Sequence, residues 1–149
     1  MEKTVYSAVL TPFKKDLTLD TKLFISHCEF LLKNNISLAP LGTTGEANSI
    51  SISEKINLIK ILANSDLPKE KIIIGTGNTS FVDAALLTKT SIENKIYSVL
   101  LLPPFYYKNV SDDGIYQYFK EIINIVKSKN LRIFLYNIPQ VSEIGRAHV

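Results

Sequence analysis

Five short runs of apolar, largely β-branched residues alternate along this chain with stretches whose apolar residues return every three or four positions. That switching period restricts the fold more than any other feature. The runs are residues 5–10, 36–41, 71–74, 97–102 and 131–135. Each is too short for a helix and too apolar to keep one face wet, so all five read as strands of a parallel sheet covered by helices. Parallel crossovers are right-handed almost without exception, which leaves a doubly wound open sheet or the first five strands of an eight-stranded barrel. Periodicity alone does not separate the two.

The connecting stretches carry helix punctuation. Asp20 is placed to cap a first helix, along which Leu23, His27, Phe30, Leu31 and Asn34 recur at helical steps. Ser51 and Glu54 have capping-box spacing ahead of a second helix, whose buried face is expected to be Ile52, Ile56, Ile59 and Ala63. Thr79 or Ser80 caps a third, reaching about Asn94 with Ala84, Leu87, Thr88 and Ser91 on one side. A fourth starts near Ser111, where Asp112 and Asp113 suit the positive end of a helix dipole; Ile115, Phe119, Ile122, Ile123 and Val126 form its stripe. Four helices are expected, separated from the strands by short intervals with no domain boundary.

Composition excludes several classes of function. With 46% hydrophobic and 21% charged residues the chain can build a core rather than stay disordered, and 149 residues suffice for one domain or for part of a barrel. Its 17 basic and 14 acidic side chains are scattered, without the basic stripe that nucleic acid requires. No apolar run approaches the ~20 residues of a membrane helix. The single cysteine, Cys28, has no ligand cluster around it, and His27 beside it reads as a helix-surface or packing residue. A cytoplasmic location, with neither nucleic acid nor membrane as partner, is the expectation.

Three motifs follow directly on strands, where parallel α/β sheets carry their chemistry: Gly42-Thr43-Thr44-Gly45-Glu46, Pro103-Pro104-Phe105-Tyr106-Tyr107 and Tyr136-Asn137-Ile138-Pro139. A Gly-Thr-Thr-Gly turn offers backbone N–H groups and two hydroxyls to a carboxylate, although an isolated turn of this kind is more often plain βα punctuation. A strand-end phenol such as Tyr136 can pass a proton, although a lone one more often only meets water. The aromatic triplet could equally be a packing cluster.

Together, from about Val5 to Ser142, the three motifs resemble the dihydrodipicolinate synthase and N-acetylneuraminate lyase family of pyruvate-dependent class I aldolases. The resemblance implies an α/β fold, a truncated (β/α)8 TIM barrel with its first five parallel strands and four helices, with residues 1–142 as the N-terminal part of one barrel domain. It implies Tyr136 as the central acid/base, Thr43 and Tyr106 as relay hydroxyls, and Thr44 as the carboxylate anchor in a turn shaped by Gly42 and Gly45. Tyr106 would be lent to a neighbouring subunit, with Tyr107 its competitor in register. Pyruvate and an aldehyde are the implied small-molecule partners. Neither metal nor cofactor is implied, and a homo-oligomer, usually a tetramer of tight dimers, is.

The loop Gly75-Thr76-Gly77-Asn78 invites a dinucleotide reading, but the third glycine is missing and no acid ends the next strand. Family members carry a similar loop that shapes the barrel mouth. Two departures matter. Where dihydrodipicolinate synthases supply an arginine to the second substrate's carboxylate, this chain has Val141, which tilts specificity towards the lyase branches; Thr43 tilts it back, since N-acetylneuraminate lyases usually have serine there. Residues 143–149 do not match the family and read as a junction or adapter artefact. The Schiff-base lysine is expected another βα unit of roughly 30 residues onward. Lys71, Lys89, Lys95, Lys108 and Lys127 fall on helix faces, loops or strand starts, so the 149-residue chain is expected to be inactive. The competing readings are a small α/β domain binding phosphate or nucleotide at its glycine turns, and a non-catalytic interaction fragment.

Overall fold

A computed structural model describes residues 4–143. Its strands are β1 (Tyr6–Ala8), β2 (Ser37–Ala39), β3 (Ile73–Gly75), β4 (Ser98–Leu101) and β5 (Arg132–Leu135). Between them lie helices α1 (Thr21–Lys33), α2 (Ile52–Asn64), α3 (Phe81–Glu93) and α4 (Asp112–Val126). All strand pairings are parallel: β1 lies beside β2, and β3, β4 and β5 follow one another. A parallel bridge between Leu38 and Ile72, and a 2.8 Å hydrogen bond from the Gly75 N–H to the Pro40 carbonyl, join the two groups. The spatial order therefore equals the chain order. A doubly wound sheet reverses direction at a switch point, whereas a barrel adds each strand on the same side. The five strands are part of a (β/α)8 barrel.

The ladders are shorter than the apolar runs because the chain leaves them to build turns. Leu41 does so abruptly, with φ 59° in the left-handed region two residues after β2. A four-residue helix, α5 (Pro139–Ser142), adds to the four expected; Pro139 starts it with a preset φ, but four residues carry no periodic signal. Of the segment 143–149, expected from the sequence alone to be a junction, only Glu143 lies within the described residues.

Helix starts follow their caps. Asp20 accepts from the Leu23 N–H at 2.9 Å, Ser51 and Glu54 form the reciprocal capping box, Ser80 rather than Thr79 caps α3, and Ser111 caps α4. The faces differ more. On α1 the buried residues are Phe24, Cys28 and Leu31, while Leu23 is 54% and Phe30 62% exposed. The buried row lies one residue from the expected Leu23–His27 stripe, because Cys28 packs as a small hydrophobe and completes the row 24–28–31. On α2, Ile59 and Ala63 are buried with Leu58 and Leu62, while Ile52 and Ile56 pack at the margin. All four residues named on α3 are buried. On α4, Ile122 and Val126 are buried with Tyr118, whereas Ile123 is half exposed.

Two apolar clusters result. One sits among α1, α2 and the first three strands, with Val9, Leu38, Leu58, Ile59, Leu62, Ile72 and Ile74. The other joins α3 and α4 to the later strands through Ala84, Ala85, Leu101, Tyr118 and Ile122. Burying each large aliphatic side chain contributes about 1.5–3 kcal/mol against the entropy of ordering the chain. Beside β1, Val5 and Leu10 are exposed, as are Phe134 and Leu135 on β5, so both flanks of the arc carry bare apolar surface.

Candidate functional site

The carboxyl ends of β2 to β5 meet around the Gly42–Glu46 turn. The turn is held rigidly from both sides. The buried Thr11 hydroxyl, just past β1, donates to the Gly45 carbonyl at 2.8 Å, and a Cβ on Gly45 would stand 2.6 Å from the Val9 carbonyl oxygen. On the other side a Cβ on Gly75 would stand 2.1 Å from the Leu41 carbonyl oxygen. Both glycines are thus required by close backbone approach, not by positive φ, since no described glycine has one. Instead the left-handed residues are Leu41 and Glu46 (φ 54°), which bracket the turn. Each such residue costs of order 1–3 kcal/mol, and strain of this kind collects where backbone is shaped for a ligand.

Within the turn the Glu46 N–H donates to the Thr43 carbonyl at 3.0 Å and the Ala47 N–H to that of Gly42 at 3.3 Å. Among the described residues none accepts from the N–H groups of Thr43, Thr44 or Gly45, and both threonine side chains are exposed. A row of N–H groups without an acceptor, beside two hydroxyls, is chemically able to hold a carboxylate.

A narrow cavity of about 10 Å³, the room of roughly one water, opens beside this turn. Gly42, Thr43 and Asn48 line it after β2, Gly77 after β3, Leu102 and Phe105 after β4, and Val141 after β5. Four consecutive strand ends therefore converge on one point. The neighbouring backbone is fixed by hydrogen bonds from the Thr76 N–H to the Leu100 carbonyl at 3.0 Å and from the Tyr136 N–H to the Leu101 carbonyl at 2.9 Å. Tyr136 itself is half-buried and lines a separate cleft of about 440 Å³ with Pro103, Asp112, Phe119 and Asn137. The linings of the two spaces meet at the consecutive residues Leu102 and Pro103.

The sequence-derived residues are thus brought together only in part. Gly42 and Thr43 share a cavity with Val141, singled out in the sequence as a departure from the family's pattern; Thr44 and Gly45 complete the turn. Tyr106 is 72% exposed, its ring edge-on to Tyr107 with centroids 5.1 Å apart. Among the described residues no hydrogen bond joins the hydroxyls of Thr43, Tyr106 and Tyr136. The glycines at the end of β3 and in the loop after it serve packing: Gly75 abuts Leu41, and a Cβ on Gly77 would stand 2.7 Å from the Leu102 side chain.

Sequence reasoning missed two residues here. Thr11 clamps the turn from 34 residues away, a separation without local signal. Lys55 is 4% exposed on the packed face of α2; burial holds its ammonium pKa below the ordinary lysine value, with Asp83 opposing that shift. Its place one turn from Leu58 and Ile59 and two from Leu62 was available from the helical period. Lys55 lines neither the Thr43 cavity nor the Tyr136 cleft. Among the described residues no three His, Cys, Asp or Glu side chains are grouped to hold a metal ion, and no helix is long and apolar enough to cross a membrane.

The profile of the Dihydrodipicolinate synthetase family matches residues 1–145. The 4-hydroxy-tetrahydrodipicolinate synthase of Bacillus subtilis is 35% identical over 136 residues, which is 91% of this chain and 46% of that protein. The crystal structure of dihydrodipicolinate synthase from Agrobacterium tumefaciens superposes with a TM-score of 0.88 at 33% identity, covering 95% of this chain and 50% of that one. A variant of the Sulfolobus solfataricus 2-keto-3-deoxygluconate aldolase, in its pyruvate complex, superposes with a TM-score of 0.83 at 28% identity, covering 95% and 47%. The chain spans about half the length of the relatives it matches.

Proposed function

The chain belongs to the dihydrodipicolinate synthetase family, and from that premise we propose that it is the N-terminal part of a lyase that makes or breaks a carbon–carbon bond next to the carbonyl of pyruvate. The observation carrying this reading is the convergence of four strand ends on the Thr43 cavity, with the free N–H groups of the turn beside it. In the proposed reaction a lysine amine, contributed beyond residue 149, condenses with the pyruvate C2 carbonyl and expels water to form an imine. Loss of a methyl proton from C3 gives the enamine, whose carbon adds to an aldehyde while a proton reaches the aldehyde oxygen; water then hydrolyses the product imine and frees the lysine amine, and cleavage runs the same steps backwards. Tyr136 takes and returns the proton, Thr43 and Tyr106 pass it onward, and Thr44 with the turn N–H groups holds the carboxylate. No metal or cofactor is needed for these steps.

The exposure of Tyr106 suits a side chain that reaches into a neighbouring subunit, and the homo-oligomer proposed is a tetramer of tight dimers. Val141 gives the space beside Thr43 an apolar wall, which favours an aldehyde without a carboxylate at that point. Cytoplasmic residence is proposed from the lone thiol.

The test is to read the gene past the Ser142 codon, express the protein at its relatives' length, and reduce it with borohydride in the presence of pyruvate. One pyruvyl adduct per chain on a lysine absent from residues 1–149 is expected, and none on the 149-residue chain. Absence of any adduct on the longer protein would overturn the proposal. An adduct on Lys55 or another lysine of the short chain would overturn the role assigned to a later one.

A further inference from the structure

Lys108 lies in the loop between β4 and α4, two residues after Tyr106. Its Nζ donates to the Phe105 carbonyl at 3.2 Å and, across 33 residues of chain, to the Val141 carbonyl at 3.2 Å in α5; the Glu143 carboxylate stands 3.3 Å away. An ammonium has three donors and no acceptor, so one lysine can hold three oxygens at once. Phe105, after β4, and Val141, after β5, are themselves walls of the Thr43 cavity. In the loop that follows Phe105, Tyr106 and Tyr107 are exposed and Asn109 adopts φ 56°.

We propose that Lys108 is a positioning residue whose ammonium straps the Tyr106 loop to α5, fixing the wall that follows Tyr136 against the wall that carries Tyr106. The strap is a matter of geometry; it rests on the proposed function only in naming those two tyrosines as what it positions. The two carbonyls, rather than Glu143, carry it, because they belong to the cavity walls.

The amides of Val141, Ser142 and Glu143 report on it directly, since each donates within α5 to the carbonyl of Ile138 or Pro139. Hydrogen exchange by NMR on the 149-residue chain should show these three amides exchanging about tenfold faster in K108M, with core amides such as Leu58 and Ile122 unchanged. Cross-peaks between the Phe105 ring and the Val141 methyls should weaken in the same variant. K108R, which keeps a charged donor, should restore both, and E143Q should leave α5 exchange within about threefold of the parent chain. Unchanged α5 exchange in K108M, equal acceleration of α5 and core, failure of K108R to rescue, or an E143Q effect as large as that of K108M would each overturn the strap. None of these readouts involves pyruvate, so the strap and the proposed reaction can fail separately.

Discussion

At residue scale the glycines of the candidate site divide sharply. Gly75 and Gly45 have backbone oxygens where a methyl would go, whereas a Cβ on Gly42 meets nothing nearer than the Ala39 carbonyl oxygen at 4.0 Å. Gly75→Ala and Gly45→Ala should therefore destabilise the chain by about 3 kcal/mol or more, through forced movement of backbone. Gly42→Ala should leave stability unchanged or raise it by about 0.4–1 kcal/mol, by restricting the unfolded chain. Urea melts of the three variants check the ordering, and equal losses at all three positions would refute it. The glycines were visible in the sequence as turn markers, but which ones were sterically compelled was not. That depends on Leu41 and Val9 arriving from other strands. Cys28 makes a similar point: a lone thiol in a polar-looking stretch is wholly buried, and desolvation pushes its pKa up to about 12. A maleimide reagent at pH 8 should label it only after unfolding; rapid labelling of the folded chain would contradict its place in the core.

At element scale, capping chemistry was more legible than facing. Asp20, Ser51 with Glu54, and Ser111 act where the sequence put them, because caps are decided by residues within one turn. Which stripe of α1 turns inward is decided by tertiary contact, and the smaller row of Phe24, Cys28 and Leu31 prevailed over the row holding Leu23 and Phe30. Helix α4 is tied to the loop after β3 by the buried Tyr118, whose hydroxyl donates to the Asn78 carbonyl at 2.5 Å. Burial pushes this phenol to about 12. Tyr118 and Cys28 thus both release their protons at lower pH from the unfolded chain than from the folded one. Their contribution is complete below the unfolded values of 10.0 and 9.0 and is lost as pH rises towards 12. Thermal stability should hold up to about pH 9 and then fall, by about 1.4 kcal/mol per pH unit for each group between its two pKa values. Tyr118→Phe should shallow that decline while costing about 1 kcal/mol at neutral pH for the lost hydrogen bond. An identical alkaline slope in Tyr118→Phe would contradict the assignment.

For the whole molecule, the sequence left the barrel and the doubly wound sheet equally open on periodicity, and only the strand-end motifs favoured the former. The chain-order neighbours β1 to β5 now decide it on geometry. That arrangement leaves Leu10 55% and Leu135 67% exposed on its two flanks, beside strands whose outer hydrogen-bonding groups lack partners among the described residues. Concentration-dependent self-association by sedimentation is expected for the 149-residue chain, and a monomer at all concentrations would count against open edges. The proposed proton relay was the least legible part. Thr43 and Tyr136 come from elements 93 positions apart and line separate spaces that meet only at Leu102 and Pro103. The claim on which the account turns is that the β2 turn and the segment after Tyr136 close on one another at the carboxyl ends of the strands. Methyl NOE spectroscopy measures this directly: Thr43 and Val141 should both show cross-peaks to the Leu102 methyls. If either gave none in a folded chain, the convergence of the strand ends, and with it the proposed function, would be contradicted.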